Sequence, residues 1–304
     1  VVQGHGFSFP RQWYPFTAPD EQTAHWSFLY TLYLAAVYVV AGHHPLLARL
    51  IRAVASLLML WLIYRLGRRL FGEWAGLAAA ALAACYAYLV FYAAALMTQT
   101  FYIIAVLAAL YTALHVAELP TRRGWLALGM ALGVGTLMRQ TLLLFAPLLL
   151  LWVWQRARRG ESARQPAATA LRSSLTGPVL SIVLIALLVL PWTVRNYLVF
   201  DDFLLLNSNG GYWLYSSNHP DQGTTFDSAF AAPLPERLKG LGEPAIDRAL
   251  TAEGLRFIID EPGRYLQLTL SRFESQFWML PSPQSSLLSN LGRMLSFPIY
   301  VPFM

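Results

Sequence analysis

The sequence is short of charge. Its 22 basic and 16 acidic residues make up 12% of 304 positions, where a soluble globular protein carries about 25%. The surface of a folded chain grows with its mass and has to be acceptable to water. That shortage excludes an ordinary soluble enzyme, a disordered chain and a fibrous one. Cysteine is nearly absent: Cys85, inside an apolar run, has no second cysteine to pair with, so no internal disulfide framework holds this fold. Lysine is reduced to Lys239, to which we attach no function. The chain lacks a phosphate-cradling Gly-rich loop and a dinucleotide fingerprint, and no two of its six histidines lie four apart around a Glu. His43-His44 beside Pro45 reads as a solvated turn, and His115 as interfacial. No Ser or Cys nucleophile constellation is present. No internal or inverted repeat appears, which removes the main sequence sign of a transporter.

What is present is apolar residue in long runs, 57% of the chain. A membrane-crossing helix needs about 20 such residues, and six or seven segments approach that length. Ala24–Gly42 is free of Asp, Glu, Lys and Arg, and so is Trp74–Ala117, long enough for two spans with a break near Met97-Thr98-Gln99-Thr100. Ala53–Tyr64, Gly124–Met138, Thr141–Trp154 and Leu175–Val194 complete the set. The expected fold class is an all-α polytopic membrane protein.

Arginine placement sets the topology. The net charge of +6 does not form a nucleic-acid stripe; ten of the 22 basic residues fall in three short stretches between apolar runs. Arg65, Arg68 and Arg69 form one, Arg122 and Arg123 the second, and Arg156, Arg158, Arg159, Arg164 and Arg172 the third. With two spans between neighbouring stretches, all three lie on the cytoplasmic face. The loops at Gln99 and Arg139, and everything beyond Val194, then face outward. Parity leaves Ala24–Gly42 lying along the outer face as an interfacial helix, its aromatic residues suited to headgroups. A true span followed by a re-entrant turn is the alternative.

From Asn196 to Tyr265 ten acidic residues face five basic ones, so this stretch reads as a folded extracytoplasmic loop. Pro244 opens a helix there and Pro262 closes it. Arg264–Leu280 reads as an amphipathic interfacial helix. The expected domains are 1–47, the end of a first extracytoplasmic loop with its interfacial helix; 48–195, the helix bundle; 196–280, an extracytoplasmic loop domain; and 281–304, the start of a further span. Val1 at the front and an apolar run at the end lead us to expect a piece of a longer chain.

The chemistry-bearing candidates gather near the outer face. An ionisable group at the membrane boundary is costly and marks function by default. Arg139, isolated between two apolar runs, reads either as a phosphate clamp, its planar fork matching phosphate oxygens, or as a cation snorkelling to headgroups. Arg52 and Arg195 carry the same two readings. Asp20-Glu21 are a general base, metal ligands or a solvated loop. Gln99 cannot titrate but can bind a sugar hydroxyl. Asn196, Asn209 and Tyr212 stand at the start of the polar loop, which lines either a substrate path or a cap over the bundle.

At Pro191-Trp192-Thr193-Val194-Arg195-Asn196-Tyr197, followed by Asn209-Gly210-Gly211 and Asn218-His219-Pro220, the sequence resembles bacterial family 39 glycosyltransferases of the protein-mannosyltransferase superfamily. Val1-Val2-Gln3-Gly4-His5-Gly6-Phe7, Leu66-Gly67-Arg68-Arg69-Leu70-Phe71-Gly72, Leu137-Met138-Arg139 and Phe257–Tyr265 resemble further family elements in the same order. The resemblance implies a GT-C fold with extracytoplasmic juxtamembrane helices in the bacterial inner membrane. It implies a polyprenyl-phosphate-linked sugar as donor and a lipid, glycan or protein as acceptor. It also implies an acidic base, with a divalent metal ion as the one cofactor to consider; no nucleic acid is expected. The family often has Asp or Glu where this chain has Gln99, so an inactive relative, or a protein that binds or translocates a lipid-linked sugar, is the alternative.

Overall fold

A computed structural model describes residues 1–2, 4–12, 17–159, 175–277, 281 and 285–300. Gln3 of the first family-like element, Arg164 and Arg172 of the third basic stretch, and Trp278 to Leu280 at the end of the expected amphipathic helix lie outside them. Twelve α-helices are described, and among the described residues extended pairing is limited to isolated bridges such as Ser8 with Gln22. The helices are α1 (Phe28–Ala41), α2 (Pro45–Phe71), α3 (Glu73–Cys85), α4 (Ala87–Ala94), α5 (Gln99–Glu118), α6 (Arg122–Met138), α7 (Leu142–Arg159), α8 (Thr176–Phe200), α9 (Gly210–Asn218), α10 (Glu243–Asp260), α11 (Pro262–Gln276) and α12 (Leu287–Tyr300). The chain is an all-α polytopic membrane protein.

Two compact units divide it. The first is made mainly of residues 3–26 and 196–304; the second is Ser27–Arg195, the boundary falling inside α8. In the second unit, α2, α5 and α8 are long and apolar enough to cross a membrane. The 74–117 run divides twice, at Tyr86 as well as near Thr98. Tyr86 leaves helical backbone geometry with φ −72° and ψ 113°, and α3 and α4 are bent by 62° across it, a broken span or a re-entrant loop. α6 has 17 residues, and α7 ends in Arg156, Arg158 and Arg159, so among the described residues the number of long apolar helices is three, or four with the bent pair. α1 has 14 residues; at 1.5 Å per residue it is about 21 Å long, shorter than a hydrocarbon core of about 30 Å.

The bundle is built on close backbone approach, as expected where lipid removes the hydrophobic drive between helices. α6 and α8 run parallel. A Cβ at Gly129 would lie 2.8 Å from the Ser181 Cα, and the Ser181 hydroxyl donates to the Trp125 carbonyl at 2.6 Å. Thr121 caps α6, its hydroxyl accepting from the Gly124 N–H at 3.0 Å.

The first unit has its own core. Tyr212 and Tyr215 of α9 pack with Ile246 and Leu250 of α10, joined by Ala232 and Leu238. Its second fixture is Glu243, buried at the first turn of α10. The carboxylate accepts from the Thr23 hydroxyl at 3.1 Å, from the Ala24 N–H at 2.9 Å and from the Ser208 hydroxyl. One charge thus ties residues 23–24 to a segment some 220 positions away. Pro244 opens α10 as the sequence indicates, but Pro262 also begins α11, where a missing N–H costs nothing. Arg264 and Arg272 then donate to carbonyls at the end of α9: Arg264 to Asn218 and His219, Arg272 to Ser217.

Gly211 is where α9 meets α10. A Cβ there would lie 2.0 Å from the Asp247 carbonyl oxygen, and the Gly211 N–H donates to the Asp247 carboxylate at 2.7 Å. Gly211→Ala is therefore expected to destabilise the unit by about 1–3 kcal/mol through overpacking. Gly210→Ala, at an exposed position, should stay within about 0.5 kcal/mol of the parent. Thermal unfolding of the detergent-solubilised variants compares them.

Candidate active site

In the second unit, six segments converge at one end of the bundle. The hub is Thr98-Gln99-Thr100, where α5 begins after a break in the chain. Arg52, about two turns into α2, is fully buried. Its guanidinium donates to the Tyr92 carbonyl at 2.6 Å, to the Thr100 hydroxyl at 3.1 Å and to the Tyr30 hydroxyl at 3.3 Å. Thr100 in turn donates to the Tyr92 carbonyl at 2.9 Å. A buried cation survives only where oxygens replace its water, and three segments besides α2 supply them.

Arg139 meets the same segment at Thr98 and Tyr102. It follows α6 directly as its C-cap in extended conformation, where a cation also complements the helix dipole. It is exposed. Its Nε donates to the Thr98 hydroxyl at 3.4 Å, and its guanidinium carbon lies 5.7 Å from the centre of the Tyr102 ring. In sequence between Thr98, which Arg139 meets, and Thr100, which Arg52 meets, the Gln99 side-chain oxygen is buried with no hydrogen-bond partner among the described residues. An orphan acceptor of that kind costs about 1–3 kcal/mol.

Arg195 reaches the same end through aromatics. Its guanidinium sits 4.6 Å from the Trp192 ring, Trp192 stacks on Phe28 at 4.4 Å, and the neighbouring Ser27 hydroxyl donates to the Leu137 carbonyl, two residues before Arg139. The Pro-Trp-x-x-Arg run thus has a local reason. Trp192 is buried and gives Arg195 an aromatic face to lie on.

The remaining candidates belong to the first unit. Asp20 and Glu21 are exposed on a turn. Asp20 adopts a left-handed φ of 63° and its N–H donates to the Phe9 carbonyl at 2.7 Å, which fixes the turn. Asn196 is buried and its amide donates to the Leu204 and Leu206 carbonyls at 3.1 and 2.8 Å. Asn209 donates to the His25 carbonyl at 3.0 Å. Tyr212 is in the core with its hydroxyl on the Ala232 carbonyl at 3.0 Å. The polar loop's Asn and Tyr side chains therefore hold backbone. Trp213, beside Tyr212, is exposed. Among the described residues no three of His, Cys, Asp and Glu lie together as a metal site. Asp20 and Glu21 do not make one by themselves, so no step is routed through a metal.

Sequence reasoning missed Tyr30, Tyr92, Thr98, Thr100 and Tyr102. Their signal was weak: hydroxyl-bearing residues bracketing Gln99 in an otherwise apolar run. Glu243 was missed as well, and its position just before Pro244 was the available clue.

A family model described as dolichyl-phosphate-mannose-protein mannosyltransferase matches residues 27–194. The chain belongs to this family. The matched segment nearly coincides with the second unit, so Arg52, Gln99 and Arg139 lie within it, whereas Arg195, Asp20, Glu21, Asn196, Asn209 and Tyr212 lie outside. Comparison with curated proteins and with solved structures gives no match. The family is one of membrane glycosyltransferases of the mannosyltransferase type, whose donors are polyprenyl-phosphate-linked sugars.

Burial holds His25 neutral, lowering its pKa from 6.5 to about 4. Burial also pushes the Asp247 carboxyl up, against the Gly211 N–H that favours its charged form. Between pH 4 and 6.5 the unfolded chain binds a proton at His25 that the folded chain refuses. The stability of the first unit therefore falls as pH drops through that window, by up to about 3 kcal/mol. Asp247 contributes with the opposite sign, so the comparison is with His25→Gln. That variant should show a flatter dependence of thermal unfolding on pH.

Proposed function

We propose that this protein is a glycosyltransferase of the bacterial inner membrane. It moves a sugar from a polyprenyl-phosphate carrier to a lipid, glycan or protein acceptor on the extracytoplasmic side. The observation that carries the reading is Arg139. It is an exposed cation at the end of an apolar helix, tethered by one long hydrogen bond to Thr98 and by the Tyr102 ring, residues that flank Gln99 in sequence.

The chemistry asks for this combination. Breaking the bond between the sugar and the lipid phosphate builds negative charge on the leaving phosphate. Fixed cations aimed at that charge lower the barrier without having to reorganise. Arg139 and Arg195 are the phosphate ligands in this reading. Arg52, its two terminal nitrogens already donating to Tyr30, Tyr92 and Thr100, positions the Thr98-Gln99-Thr100 hub. The Gln99 oxygen accepts a sugar hydroxyl, which relieves its missing hydrogen bond. Asp20 or Glu21 takes the proton from the attacking acceptor hydroxyl. Asn196, Asn209 and Tyr212 support the substrate path by holding the backbone of the polar loop.

Arg139→Ala and Arg195→Ala are each expected to lower sugar transfer by about 100-fold or more, the scale of losing one donor to developing charge, with normal expression and membrane insertion. Transfer from a radiolabelled lipid-linked sugar in membranes measures it. Normal turnover in both variants would remove the phosphate-clamp reading. Donor retention without turnover in the parent protein would instead favour the inactive-relative reading.

A further inference from the structure

At the opposite end of the second unit lies a groove of about 430 Å³ that the transfer chemistry does not use. Leu66 and Leu70 of α2 form one wall, and Phe145, Leu148, Leu149 and Trp152 of α7 the other, over a floor of α5 residues around Ala113. The lining is almost wholly apolar. Leu70, Phe145, Leu148 and Trp152 are exposed, so the groove opens outward from the bundle.

Each element that lines the groove runs into charge in one direction. Arg69 follows on α2, within a turn of Leu66 and Leu70. On α5 the Leu110, Leu114, Glu118 stripe ends in an acid, and Arg69 pairs with Glu118 at 2.6 Å. On α7, Leu149 and Trp152 are continued on the same face by Arg156 and Arg159, at spacings of three, four and three residues. Arg156 and Arg159 are exposed and make no ion pair among the described residues. A helical turn rises about 5.4 Å, so Arg156 stands one turn beyond the groove's end. The acid here is already neutralised, and the excess charge is positive.

We propose that this groove binds one anionic phospholipid, an acyl chain lying between α2 and α7 and the phosphate meeting Arg156 and Arg159. An acyl chain suits a lining that offers no hydrogen bonds. An anionic headgroup suits two guanidinium groups with unspent donors. The volume is that of a small-molecule site rather than of a crossing helix.

Native mass spectrometry of the whole protein in mixed micelles tests this, with phosphatidylglycerol and phosphatidylcholine of identical chains supplied equally. The expected result is one retained phosphatidylglycerol, preferred about tenfold or more over phosphatidylcholine. The double variant Arg156→Gln, Arg159→Gln should lose that preference while still retaining lipid of either kind. Leu148→Trp, which fills the groove from an exposed wall, should lose retention of both. Equal retention of the two lipids by the parent would overturn the headgroup assignment. Undiminished retention in Leu148→Trp, or a lipid-free dimer in place of a lipid-bound monomer, would overturn the groove as the site.

Discussion

A cation sealed inside an apolar bundle has to be supplied with oxygens, and much of the second unit follows from how Arg52 is supplied. Its oxygens come from Tyr30, Tyr92 and Thr100. Replacing water around a guanidinium is expensive, and removing any one oxygen leaves that expense uncompensated. The need for these partners explains features that look incidental separately. α5 has to begin at Gln99, so that Thr100 faces α2. The segment before it has to break, so that a Tyr92 carbonyl is freed from its helical role. α1 has to start near Ser27, so that Tyr30 reaches the guanidinium. Arg139 inherits its position from this frame, because its tether, Thr98, is two residues from Thr100.

The first unit solves the same problem with the opposite sign. Glu243 is buried among Thr23, the Ala24 N–H and Ser208. Hydrogen bonds to a charged group are among the stronger ones in proteins. Here they hold a chain segment whose described residues pair only through isolated bridges such as that between Ser8 and Gln22. The turn carrying Asp20 and Glu21 lies inside that held segment. An exposed acid at a fixed place needs such an anchor, since its own side chain contributes none.

Much of the fold was legible because apolar runs and arginines are read one residue at a time. The bundle, the break near Thr98, the opening of α10 at Pro244 and the amphipathic α11 all follow from local pattern. The second break, at Tyr86, did not, since neither Gly nor Pro marks it. Of the site, the cations were visible as charges in an apolar background, and Gln99 as a polar interruption. The distinction between Arg52 and Arg139 was not. Both read as boundary arginines, yet one is buried in a hydrogen-bond cage and the other is exposed. Burial depends on which tyrosines and threonines come near, a tertiary property. Asn209 and Tyr212 read as loop residues, and their hydrogen bonds to the His25 and Ala232 carbonyls on either side of Gly211 were not legible. At Gly211 two helices meet with no room for a side chain.

The contact between Gly129 and Ser181 has a metrical consequence. It fixes α6 and α8 to a common origin, beyond which both run as continuous helix. Arg139 follows Gly129 by ten positions and Arg195 follows Ser181 by fourteen, about 15 and 21 Å along the two axes. The interval between the two cations is therefore counted out in residues. A single insertion past that origin would turn its arginine through about 100° and shift it by about 1.5 Å, which makes chain length there as tightly constrained as residue identity.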